Sequence, residues 1–178
     1  MSIRSNRLAD RLQKGADDLA AFANRLTAEQ WRTRLPHDGR PVGVVIHHVA
    51  MRYPLDIQFA RALAAGRPLR GVTAESQLRL AADHARVFAA VKPAAALDLL
   101  WRNAAEAASV VRSFTDRQLD GTAIASLYGG VVVSCEFLLE DRGIGHAYHH
   151  LAQIRATLGQ LPDDIYLPTL PETGTAAA

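Results

Sequence analysis

Ile144-Gly145-His146-Ala147-Tyr148-His149-His150-Leu151-Ala152-Gln153-Ile154-Arg155-Ala156-Thr157-Leu158 decides how this chain folds. At about 100° per residue, Ile144, Ala147, Leu151, Ile154 and Leu158 fall on one apolar stripe, which marks an amphipathic helix. His150 lies about 70° from the centre of that stripe and His146 about 110° away. Both flank the core, where an imidazole can reach into a bundle interior and still meet a pocket. His149 points nearly opposite and reads as a solvated histidine. Gly159 follows as a natural C-terminal stop.

About a hundred residues upstream, Val44-Val45-Ile46-His47-His48-Val49-Ala50 carries a second pair. With Val45, Ile46, Val49, Tyr53, Ile57 and Ala60 as the stripe, His48 flanks the core and His47 faces further away. Residues at i and i+4 on a helix are neighbours, about 5–6 Å apart at Cβ. Two such imidazoles can chelate one ion at about 2.0–2.1 Å each. His48, His146 and His150 together make a three-nitrogen site that suits Zn, Ni or Fe and keeps a position open. A zincin would need His-Glu-x-x-His, but Ala147 follows His146. A di-iron bundle would need Glu-x-x-His, and position 143 is Gly. His37, in a loop, and His84, beside Asp83, read as surface groups.

The rest of the chain supplies the other helices. The pattern predicts a helix over residues 4–24, a short turn from Thr27 through Trp31, and a helix from about Pro41 to Ala65. Pro54 lies inside that last helix and predicts a kink. A shorter helix follows from Thr73 to about Val91, then one from Pro93 to about Phe114. Residues 115–130 read as a linker and 131–158 as the final helix. Val131-Val132-Val133 is too short a β-branched run to count as a strand. The fold class expected is all-α: an antiparallel four-helix bundle with one or two longer connections and a short extra helix.

Composition agrees with one globular domain. The chain has 178 residues, 49% of them hydrophobic and 21% charged, so it can bury a single core. Its net charge of +2 comes without any Lys/Arg run, which argues against a nucleic-acid partner. A lone cysteine, Cys135, excludes an internal disulfide and reads as a packed helix-face thiol. No stretch reaches the roughly 18 apolar residues of a membrane span, and no signal-like run opens the sequence, so a cytoplasmic protein without a membrane partner is expected. The expected domain covers residues 1–160, with a Pro-rich tail over 161–178. Within that tail, Leu170-Pro171-Glu172-Thr173-Gly174 matches a wall-sorting pattern, but only Thr175-Ala176-Ala177-Ala178 follows it. Without the expected apolar span, it reads as chance or a tag remnant.

The two histidine clusters, with Leu26-Thr27-Ala28-Glu29-Gln30-Trp31 before the first and Phe114-Thr115-Asp116-Arg117-Gln118-Leu119 before the last helix, resemble the DinB/YfiT-like superfamily over about residues 5–160. The resemblance implies a four-helix bundle with Zn or Ni held by His48, His146 and His150. It also implies a small-molecule substrate and, in members with assigned roles, a low-molecular-weight thiol such as bacillithiol, mycothiol or glutathione. Met51-Arg52-Tyr53-Pro54 stands where close relatives of YfiT have a polar stretch. The expectation is a metal-dependent thiol S-transferase. The alternatives are a metal-dependent hydrolase and a non-enzymatic, metal-binding, stress-related bundle, with a homodimer as a further expectation. Tyr53, Tyr128 and Tyr148 are general-acid candidates by residue type alone.

Overall fold

The computed structural model describes residues 2–160, so the expected tail and its Leu170–Gly174 motif lie outside the described residues. The elements in chain order begin with α1 (Ile3–Ala23), α2 (Ala28–Arg32), α3 (Val42–Ala64), α4 (Ala74–Val87), α5 (Pro93–Arg112) and α6 (Asp116–Leu119). A β-hairpin follows, β1 (Thr122–Ala125) and β2 (Val131–Ser134). The C-terminal helix is composite: α7 (Cys135–Leu138), a π-helical turn over Leu139–Ile144, and α8 (Gly145–Thr157). The long helices α1, α3, α5 and α7–α8 form a four-helix bundle. Its packed neighbours are α1 with α5, α5 with α3, α3 with the C-terminal helix, and that helix with α1. This order puts the two histidine-bearing helices side by side. Among the described residues, no helix is long and apolar enough to cross a membrane.

Local chemistry sets the helix ends. Ser2, Thr27, Thr73 and Thr115 each cap a helix, and the residue three positions on reaches back to complete a capping box. Pro93 opens α5, where its missing N–H costs nothing. Pro54 sits inside α3 and cannot donate to the Ala50 carbonyl four residues back. Asn103 of α5 donates its side-chain N–H to that carbonyl instead, at 2.8 Å. Helix α3 therefore continues through the proline, and a neighbouring helix satisfies the freed acceptor.

The structure corrects the expected chain map in several places. The final helix starts at Cys135, not at 131, because Val131–Ser134 pairs antiparallel with Thr122–Ala125. Gly129 and Gly130, both with positive φ, close this hairpin, and its strands are too short for alternation to be legible. The supposed linker over 115–130 is thus mostly structured. Helices α4 and α5 end a few residues short of Val91 and Phe114.

The core is continuous across the four long helices, with Leu12, Leu19, Ile46, Leu63, Leu100, Leu138 and Ile154 fully buried. Gly43 is where α3 meets the Trp31 indole. A Cβ there would lie 2.0 Å from Trp31 Nε1. Gly43→Ala is expected to destabilise the fold by about 2 kcal/mol or more, the cost of overpacking a filled core. Urea unfolding of the variant against the parent chain measures this.

Candidate metal centre

Helix α3 presents His48 and helix α8 presents His146 and His150 toward one point. One ring nitrogen from each lies within 4.8 Å of the other two. The ring centroids are 5.2 Å apart for His48 and His146, 5.6 Å for His48 and His150, and 4.6 Å for His146 and His150. His150 is buried, while His48 and His146 are half-buried. The core-flanking phase read from the sequence accounts for this convergence: Ala147, Leu151 and Ile154 fill the interior and carry the two imidazoles to its edge.

Electrostatics keeps these rings neutral. Burial pushes His48 down to about 2 and His150 down to about 4, with Arg40 adding to both. His146 is held well below the usual histidine range, again by burial first. Neutral imidazoles are the form a metal requires. The Nδ1 of His150 lies 2.9 Å from Gln153 Oε1. With Nδ1–H donating to that oxygen, Nε2 is left as the free lone pair. His146 Nε2 is buried and has no hydrogen-bond partner among the described residues. Such an orphan costs about 1–3 kcal/mol unless something pairs with it. The donor set therefore fits a transition metal.

Two further histidines depart from the sequence reading. His47, expected to face away from the core, is 5% exposed. His84, expected at the surface, is 8% exposed. His47 Nδ1 and His84 Nε2 share a hydrogen bond of 2.8 Å, and Phe88 lies against both rings. His84 also stands 5.4 Å from His48, centroid to centroid. Helix α4 covers the face of α3 that a single-stripe wheel leaves to solvent. His149 is exposed as expected, and His37 is exposed beside Asp38.

Two cavities meet at His48. One, of about 420 Å³, has apolar walls from Met51, Leu55, Leu80, Val87 and Phe88. The other, of about 370 Å³, is bounded by α3, α4, the hairpin turn and the π-helical turn, and Tyr128 lines it. The Tyr128 hydroxyl donates to Asp141 at 2.6 Å, and burial with that carboxylate raises its pKa. Tyr53 is buried, its hydroxyl unpartnered among the described residues, and Tyr148 is exposed; neither lines these cavities. Burial pushes the Cys135 thiol up to about 12, so it is a packing group and not a nucleophile.

Three converging imidazoles on two adjacent helices of a helical bundle form a donor set suited to a metal centre. The family model of the DinB superfamily matches residues 11–154, and the chain belongs to that superfamily. No curated protein matches it in sequence. Among solved structures it is similar to YfiT from Bacillus subtilis, with a TM-score of 0.71 and 18% identity, covering 90% of this chain and 89% of that one. YfiT is described as a probable metal-dependent hydrolase with an unusual four-helix bundle topology. At that identity the likeness is one of fold.

Proposed function

We propose that this chain is a metal-dependent enzyme in which His48, His146 and His150 hold one divalent transition metal, Zn or Ni. The observation that carries this reading is the buried, unpartnered His146 Nε2 facing two more neutral imidazoles. A metal bound there would supply a Lewis acid with an open position, lowering the pKa of a thiol or water placed beside it. In the preferred reading the nucleophile is a small cellular thiol. Its sulfur forms a bond to an electrophilic carbon, the leaving group departs with the electron pair of the broken bond, and the thiol proton passes to solvent.

The surrounding residues favour a thiol for one reason. Among the described residues, no carboxylate belongs to the three-histidine group itself, and Asp83, Glu140 and Asp141 only line the hollows that His48 and His146 also line. Water, with a pKa of about 15.7, needs more help to ionise than a thiol at about 8.5. Tyr128 lines the cavity beside His48 with its proton held by Asp141, so its oxygen is left to accept a hydrogen bond from a molecule bound there. Gln153 orients His150, and the cavity beside His48 offers Met51, Leu55 and Phe88 to the apolar part of an electrophile. Hydrolysis is the second reading, favoured by the likeness to YfiT.

A screen of electrophiles with metal-loaded protein tests both. Turnover that requires bacillithiol, mycothiol or glutathione and disappears in His146→Ala is the expected result. Turnover without any thiol would replace transfer with hydrolysis. Stoichiometric metal without turnover of any electrophile would leave a metal-binding bundle and overturn the enzyme reading.

A further inference from the structure

The second cavity at His48 has an unusual wall. Arg40 from the segment before α3, Arg52 from α3 and Arg142 from the π-helical turn all line it, together with Gln77 and Tyr128. No carboxylate does. Each arginine also keeps a buried nitrogen without a hydrogen-bond partner among the described residues: Arg40 Nη1, Arg52 Nε and Arg142 Nε. Arg52 is only 5% exposed.

Some of this charge is already balanced. Arg52 pairs with Asp56 at 2.6 Å and also donates to Gln77 at 2.5 Å. Arg40 pairs with Asp38 at 2.7 Å. Those contacts fix the two guanidinium groups in place without using their unpartnered nitrogens. Buried guanidinium donors left unpaired are costly, and an oxyanion satisfies several at once. Three arginines from separate segments line one space of about 370 Å³ with no carboxylate among its lining residues, an excess of positive charge that a filled core does not call for.

We propose that this cavity binds the oxyanion group, a carboxylate or phosphate, of a small-molecule substrate whose remainder lies beside His48. The assignment to a substrate rests on the metal-enzyme reading, whereas the anion site itself does not. His48, Arg52 and Gln77 line both cavities, so an anionic head among the arginines leaves an apolar body against Met51, Leu55 and Phe88. The ligand class is thus an amphiphilic small acid.

Calorimetry on metal-stripped protein tests the site without relying on turnover. The probes are hexanoate, its neutral analogue hexanamide, and inorganic phosphate. Hexanoate or phosphate is expected to bind about tenfold or more tightly than hexanamide, the difference a charge-assisted hydrogen bond makes. Preference between the two anions tells which oxyanion the site takes. Arg142→Gln is expected to remove most of that advantage and Arg142→Lys to restore part of it, with hexanamide unchanged. Equal binding of hexanoate and hexanamide, or no binding of any probe, would overturn the proposal. Repeating the titration in His146→Ala separates the two readings. Anion binding that survives there belongs to the arginines, whatever the outcome for metal.

Discussion

His146→Ala protein, prepared without a polyhistidine tag, is expected to carry no stoichiometric transition metal, whereas the parent chain carries about one equivalent. The reason is geometric. Two of the three converging nitrogens come from one helix, and removing His146 leaves a cross-helix pair too few to hold an ion against buffer or chelator. Gln153→Ala tests the same centre more gently. Loss of the acceptor for His150 frees that ring to rotate and change tautomer. Changes to such outer partners typically cost about 10–100-fold in metal affinity, so direct ligand loss should cost more. Metal analysis and competition with a chelator give both numbers. Parent protein holding less than about half an equivalent, with no change in His146→Ala, would remove the centre altogether.

The second large effect is on stability in acid. In metal-stripped protein the folded state holds His48, His84 and His150 at about 2, 4 and 4, through burial. The unfolded chain takes protons on these rings near pH 6.5. Between pH 6.5 and about 4 the unfolded state therefore binds more protons, and stability falls as pH falls. Above pH 6.5 this contribution is constant. His150 alone accounts for about 3 kcal/mol by pH 4. Asp56 works in the opposite direction, because burial raises its pKa against the pull of Arg52, but it is one carboxyl against several imidazoles. Domain stabilities are about 5–15 kcal/mol, so the stripped protein is expected to unfold between about pH 6 and 4. Urea midpoints at pH 7.5, 6 and 5 measure the slope. A midpoint equal at all three pH values would show that the histidines are not buried as neutral groups.

The core-edge placement of His146 and His150 was legible because α8 is covered on one side only. Its stripe of Ala147, Leu151 and Ile154 sets a phase, and that phase places His146 and His150 at the core edge. Helix α3 is different. Val42, His47, Arg52, Asp56 and Phe59 are buried as well as the expected stripe, so nearly every face is covered. A wheel with one apolar side cannot rank His47 against His48 there. Nor does it show that His84, the one buried residue of α4, closes over that face. Adjacent residues on a helix point about 100° apart, so a doubled histidine hints at two separate neighbours. The hairpin was illegible for another reason. Four-residue strands joined through a short turn carry almost no periodicity, and Val131–Val133 adjoins a real helix. The arginine-lined cavity was illegible because Arg40, Arg52 and Arg142 come from three separate segments and share no spacing.

The π-helical turn over Leu139–Ile144 ends two residues before His146, the first of the two converging histidines of α8. In such a turn the backbone bonds skip five residues, not four, which amounts to lodging one extra residue in the helix. Everything downstream is thereby rotated about 100° relative to an uninterrupted α-helix. The aim of His146 and His150 at His48 is consequently a matter of indexing as much as of side-chain identity. A homologous chain could keep all three histidines and lose the centre by deleting a single residue between 139 and 144. In this chain, then, the length of that turn sets the convergence of the three histidines as much as their identity does.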